Sequence, residues 1–365
     1  MKLRFILLLV TLLPLLGFGQ QLTHVTNLHD TLKETSGLIY FNGKLITHND
    51  SGGAPALHEL DSLSGNVTRS IFLENATNTD WEDICYDSTY IYVADFGNNS
   101  GSRTDLKIYR VLISDYLFTP NDTVAVDTIN FSYLDQTDFT PSPLSTNFDA
   151  ESIISHNDSL FIFTKNWGDN WTNIYALPKT PGTYQIEKVD SIDVHGLITG
   201  GTYNDTANTI LLSGYTSTDP FIVEIGGFSS NDFSSGTINR YLTPLPANTS
   251  IQIESITCFE ANQYYLTAEL NTNGPPTLYR LDHSPASVVT IDQNKAIIYP
   301  NPASDFIELK DIDFSIVEIY DAMGVLQKSS DNQSIWIADL PKGMYFLSAK
   351  NSIGSIIFST KLIIQ

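Results

Sequence analysis

One short phrase occurs five times through the middle of this chain, and its recurrence limits the possible folds more than any other feature. It reads ETSGLIY from residue 34, WEDICYD from 81, AESIISH from 150, VHGLITGG from 194 and IESITCFE from 253. In each copy a polar or acidic residue comes before a small or acidic one, then Leu or Ile, then a strand-like run. Aligned on that Leu or Ile, the copies set Ser36, Glu82, Glu151, His195 and Glu254 in one column, spaced 46, 69, 44 and 59 residues apart. A turn and a second strand follow each copy: KLITHND, YIYVADF, SLFIFTK, TILLSGY and QYYLTAE. A third strand often comes next, as in ALHELD, LKIYRV, TNIYALP, PFIVEI and TLYRLD. Three strands recurring at this period predict the blades of a β-propeller, and no long amphipathic helix competes with them.

Five blades are expected, or six if one end of the repeat region forms an irregular blade. The 69-residue gap is too short for two blades of about 40 residues, so residues 134–147 are expected to form a long loop. Segment 22–28 (LTHVTNL) is strand-like and precedes the first copy. It is expected to join the last blade and close the ring, which removes a raw sheet edge.

In a propeller the first strand of each blade lines the central channel, so the column would gather at one mouth. Carboxylates packed there repel one another unless a cation lies between them, and oxygen-rich sites suit Ca²⁺. The ends of the second strands bring Asn49-Asp50, Asp95, Lys165-Asn166, Tyr215 and Glu269 toward the same mouth. Asp50, Glu82, Asp95 and Glu254 are therefore the candidate metal ligands. Glu151, His195 and Lys165 are the candidate catalytic groups, and Arg103, Tyr215 and Glu269 the candidate substrate contacts. The plainer alternative is that these Asp, Asn and Glu side chains cap turns and strand starts. Trp81, Trp167 and Trp171 could pack between blades or rim a site.

Cys85 and Cys258 fall on the first strands of blades two and five, which are not neighbours in a five-bladed ring. Their Cα atoms should exceed the ~7 Å limit for a disulfide, so two free, buried thiols are expected.

Outside the repeats, Lys2 and Arg4 precede an apolar run over residues 5–16, with Gly17 and Gly19 before Gln20. Residues 1–19 read as a secretory signal peptide. Residues 20–283 form the propeller, residues 284–296 (SPASVVTIDQNKA) a polar linker, and residues 297–365 alternate like the short strands of a small β-sandwich. No later segment is apolar for long enough to span a membrane. Nineteen basic against 41 acidic residues give a net charge of −22, which excludes polyanions as partners and gives no handle for anionic lipid. The mature chain is expected to act as a monomer.

Tyr299-Pro300-Asn301-Pro302, Ile319-Tyr320-Asp321 with Gly324, the run from Leu340 to Phe346, and Lys361-Leu362-Ile363-Ile364 occur in the order of a known family. Residues 297–365 resemble the C-terminal sorting domain of the type IX secretion system of the Bacteroidetes. The resemblance implies handling by that machinery, passage across the outer membrane, and either release or attachment at the cell surface. Eight Asp-Ser/Thr pairs, among them Asp61-Ser62 and Asp87-Ser88, are similar to the O-glycosylation pattern of exported Bacteroidetes proteins. They are equally good turn chemistry.

HNDSGG, DWEDICYD, VADFGNN, FDAESI and HGLITGGTY resemble a family of exported bacterial propellers. They are more distantly similar to calcium-dependent propeller hydrolases, the lactonases and alkaline phytases. Lys165 and Arg103 are too few cations for a phytase-like phosphate site. A lactonase-like site could draw on Glu82, Glu151, Glu254 and Asp95. The chain carries no GxGxxG after a strand, and no GxxxxGK[ST], HExxH, GxSxG or CxxC. The expectation is a calcium-dependent hydrolase of a small ester, lactone or phosphoester. The alternative is a non-catalytic propeller that binds a glycan or protein, with calcium structural or absent.

Overall fold

The computed structural model describes residues 22–216, 219–243, 252–270, 274–283, 297–310, 312, 314–321, 324–351 and 356–365. The expected signal peptide, residues 1–19, and the expected linker, residues 284–296, lie outside them. The chain divides into two compact units that part between His283 and Ser284.

The first unit is a five-bladed propeller. The inner strands are Thr35–Phe41, Trp81–Tyr86, Ala150–His156, Leu197–Asn204 and Ile253–Glu260. Each is the terminal strand of its own antiparallel sheet, and each packs beside the next around a closed ring. The second and third strands expected for every blade are present. Leu22–Asn27 pairs antiparallel with Thr277–Asp282 and so completes blade 5, as expected. Two additions were not foreseen. Thr123–Val124 lies parallel on the edge of blade 1, and Gly182–Ile186 lies parallel on the edge of blade 2. Residues 134–149 contain no strand.

Period-2 alternation explains how the blades adhere. Successive residues of a strand face opposite sides of the sheet, and both sides of a blade are buried against neighbours. Ile153 packs toward blade 2 with Tyr92 and Ile108, whereas Ile154 packs toward blade 4 with Ile198 and Leu212. Leu45 and Ile46 divide in the same way between blades 5 and 2. Each of the five interfaces has its own apolar cluster. Trp81 is fully buried at the first of these, edge-on to His48.

The channel is closed midway by Asp83. Its Oδ1 accepts from Ile84 N at 2.8 Å, and its Oδ2 accepts from Ile153 N at 3.0 Å and Gly201 N at 3.2 Å. Burial pushes the Asp83 carboxyl up to about 8, and the backbone donors from three blades oppose that shift. Gly200 and Gly201 let these strands approach, since a Cβ at either would meet the backbone or side chain of a neighbouring blade.

The second unit holds a three-stranded sheet (Ile297–Tyr299, Phe306–Lys310, Ser334–Trp336) and a four-stranded one (Leu326–Ser330, Ile316–Tyr320, Gly343–Lys350, Ile356–Ile364). Ile307, Leu309, Val317, Ile319, Leu347 and Leu362 fill its core, as alternating strands require. Among the described residues, no helix is long and apolar enough to cross a membrane.

Candidate functional site

Each inner strand carries one extra residue near its entrance. The ladders skip between Ser36 and Leu38, Trp81 and Asp83, Ala150 and Ser152, Ile198 and Gly200, and Ile253 and Ser255. A bulge breaks the alternation and re-aims its side chain. The residues in these bulges are Gly37, Glu82, Glu151, Thr199 and Glu254. The three glutamates share a structural position, as the column proposed. Ser36 lies one residue off, and His195 lies four residues away from its blade's position.

A cavity of about 270 Å³ opens at this end of the channel. Glu82, Glu151 and Glu254 line it together with Asp50, Lys165, Tyr215, Glu269 and Ser36. Asn99, Trp167 and Gln252 also border it, and Leu144 reaches it from the long loop.

Three expected members are elsewhere. His195 is exposed on the loop between blades 3 and 4, with a positive φ and a 2.9 Å contact to Asp193. Asp95 is fully buried outside the cavity: it pairs with Trp81 one residue before the position that Asp50, Lys165 and Glu269 hold on other blades, and Phe96, which takes that position, packs in the apolar core. Arg103 is held outside the cavity too, donating to Asp95 Oδ1 at 2.8 Å and Asp105 Oδ1 at 3.1 Å. Asp95 Oδ1 also accepts Asp80 N at 3.2 Å, so the Arg103–Asp95 pair braces the site without lining it.

The thiols also need one correction. Both cysteines are free and Cys85 is buried, but Cys258 is only half-buried.

Asp80 was missed. Asp50, Asp80 and Glu82 each place a carboxylate oxygen within 4.8 Å of the other two. The loops are fixed by backbone bonds from Asp50 N to Glu34 O, Trp81 N to Asp50 O and Gly97 N to Asp80 O. Gly97 is needed here, since a side chain would run into Glu82 and Asp80. The signal for Asp80 is the pattern D-x-E, which blade 3 repeats as Asp149-Ala150-Glu151. Asp149 is committed elsewhere, accepting Asn98 N at 2.6 Å and Trp167 Nε1 at 2.7 Å.

Among the described residues, the cavity is lined by crowded acids and one cation, Lys165. Burial, then Asp80 and Glu254, push the Asp50 carboxyl up to about 8. Burial, then Glu151 and Asp50, hold Glu82 well above the usual carboxylate range. Burial raises Glu254 to about 8, with Lys165 opposing. Lys165 donates to Glu151 Oε1 at 3.0 Å and lies over the rings of Trp167 and Tyr215, at 5.0 and 5.4 Å. Burial alone would lower it, but Glu151 and Glu254 overcome that and keep it an ammonium. Oδ1 of Asp50 and Oε1 of Glu254 are buried and accept no hydrogen bond. Orphaned acceptors beside a three-carboxylate cluster fit a hard cation with oxygen ligands.

The fold and site define a class: a five-bladed propeller with an acidic cavity at one mouth, joined to a separate small β-sandwich. Residues 297–365 match the secretion system C-terminal sorting domain, and this part of the chain is a type IX sorting domain. The protein is exported by that system to the cell surface or the medium. No curated protein matches the chain. Among solved structures it is similar to the PQQ-bound form of an aldose sugar dehydrogenase from Streptomyces coelicolor. The identity is 11% and the TM-score 0.42, covering 72% of this chain and 98% of the other. It is also similar to BamB from Moraxella catarrhalis, at 13% identity and a TM-score of 0.25, covering 90% of this chain and 83% of the other.

Proposed function

We propose that the acidic mouth binds a divalent cation, calcium by its donor chemistry, and that the exported propeller hydrolyses a small ester, lactone or phosphoester beside it. The convergence of Asp50, Asp80 and Glu82 carries this reading. Three carboxylates this close repel unless protonated or bridged by a cation, and an all-oxygen donor set favours calcium over softer metals. Calcium held by these three residues supplies Lewis acidity to a substrate oxygen and acidifies bound water.

The chain's own groups have separable tasks. Lys165 offers a fixed positive charge to the electron-rich end of a substrate, and Glu151 with the two rings positions it. Glu254, with one oxygen free, suits a general base better than Glu151, whose Oε1 is already engaged. Tyr215 and Glu269 border the space a small substrate would occupy.

The test has two stages. Calorimetry on EDTA-treated protein measures calcium binding, with loss expected in Asp80→Asn. A panel of esters, lactones and phosphoesters is then assayed with Glu254→Gln. Activity that needs no calcium, or that survives Glu254→Gln, removes this mechanism. The engagement of Glu151 by Lys165 favours a second reading, a non-catalytic glycan- or protein-binding mouth. Calcium binding with no turnover across the panel would select it.

A further inference from the structure

We infer that the opposite mouth of the channel is a second ligand site, for a neutral polyhydroxylated ring of hexose type. The inner strands all run the same way, so their far ends converge there, and a cavity of about 560 Å³ opens between them. That lies within the usual range for small-molecule pockets. Asp83 and the backbone groups bound to it separate this cavity from the acidic one.

Its charge balance differs from that of the acidic mouth. Lys179 contacts Asp87 Oδ2 at 3.1 Å and donates to Asn157 O at 2.8 Å. Asp87 also accepts Thr89 N, Tyr90 N and Tyr92 Oη. Asp205 and Glu260 are exposed at the rim. Between these groups the wall carries Tyr40, Tyr86, Tyr203 and Phe259, with Thr257, the two thiols and His156, whose burial lowers its pKa. An anionic ligand would meet the uncompensated Asp205 and Glu260, whereas hydroxyl groups can donate to them.

Two features fit a sugar. First, the rings are held before any ligand arrives. Phe259 stacks on Tyr265 at 4.3 Å, and Tyr86 sits edge-on to Phe41 at 5.2 Å while donating to Tyr40 O at 3.1 Å. Fixed rings offer flat apolar contact at little ordering cost. Second, Ser88, Ser155 and Thr202 line the cavity among the rings, and each hydroxyl can both donate and accept. Apolar rings combined with hydroxyls and rim carboxylates match the C–H faces and hydroxyls of a pyranose.

The half-buried Cys258 thiol lines this cavity and serves as the reporter. Full-length protein is labelled with iodoacetamide in the presence of glucose, galactose, mannose, N-acetylglucosamine or their β-1,4-linked disaccharides. At least one sugar should slow modification of Cys258 saturably, by about tenfold at ten times its Kd. Phe259→Ala, or Tyr86→Leu if that variant fails to fold, should abolish the protection. EDTA and Glu254→Gln should leave it unchanged, which separates this site from the acidic mouth. The inference is overturned if no sugar protects, if protection persists in both ring variants, or if it vanishes with EDTA.

Discussion

Asp83 on blade 2 accepts the backbone N–H of Gly201 on blade 4 at 3.2 Å, so two blades that are not neighbours are joined across the axis. The same oxygen takes Ile153 N of blade 3. Removing this carboxylate strands both donors in a fully buried setting.

Asp83→Ala should therefore lower stability by about 3 kcal/mol or more, since each buried unsatisfied group costs about 1–3 kcal/mol. Asp83→Asn keeps one acceptor oxygen and should lose roughly half as much. Urea unfolding of the propeller measures both. An unchanged midpoint in Asp83→Ala would show that the axial bonds contribute little.

The acidic mouth makes the cation-free protein sensitive to alkali. Asp50 and Glu254 each stand at about 8, against about 4 for an exposed carboxyl. Between those values the folded chain holds more protons than the unfolded one, so stability falls as pH rises through the interval. EDTA-treated protein should melt higher at pH 5.5 than at pH 8.5. Calcium should recover part of the loss at pH 8.5, because the cation then does what the protons on the mouth carboxyls did, while Asp83, also at about 8, lies outside that cluster. Asp50→Asn should flatten the pH slope, and a slope of opposite sign would contradict the assignment.

Gly97→Ala tests the site without altering its charge. The added methyl would occupy space now held by Glu82 and Asp80. Calcium affinity should fall by at least about tenfold, or ~1.4 kcal/mol, while unfolding in EDTA changes less. Equal affinity in calorimetry would place the cation elsewhere.

Lys165 and Glu151 are a buried pair, 5% and 2% exposed. Lys165→Met alone leaves Glu151 uncompensated and should cost about 3–5 kcal/mol. The double variant Lys165→Met/Glu151→Gln removes both charges and should be more stable than that single variant. Additive losses in the thermodynamic cycle would mean that the two side chains are not coupled.

Much of this arrangement was legible in the sequence because a propeller converts repetition into proximity. The alignment found Glu82, Glu151 and Glu254 from three copies of one phrase, and the second-strand ends found Lys165, Tyr215 and Glu269. It failed where local geometry breaks the period. The inner-strand bulges place Gly37 and Thr199 in the shared position, whereas a ruler laid on Leu or Ile selected Ser36 and His195. Asp95 was misplaced by a single residue, and a one-residue slip in a strand sends a side chain to the other face. Arg103 has the right chemistry for a substrate contact, but only the fold reveals that Asp95 and Asp105 already claim it. Asp80 was visible only as the first letter of D-x-E, a pattern that carries meaning once Gly97 is seen to clear space beside it.

The pairing of Leu22 with Leu281 sets an order for the birth of the fold. The earliest propeller strand to leave the ribosome has no mate until nearly the whole unit has been synthesised. Such distant partners make for slow, all-together assembly, so a nascent or half-delivered chain carries two open flanks ready to pair with strangers. Shielding by a chaperone would matter most in that interval, and the requirement ends at the moment the clasp shuts.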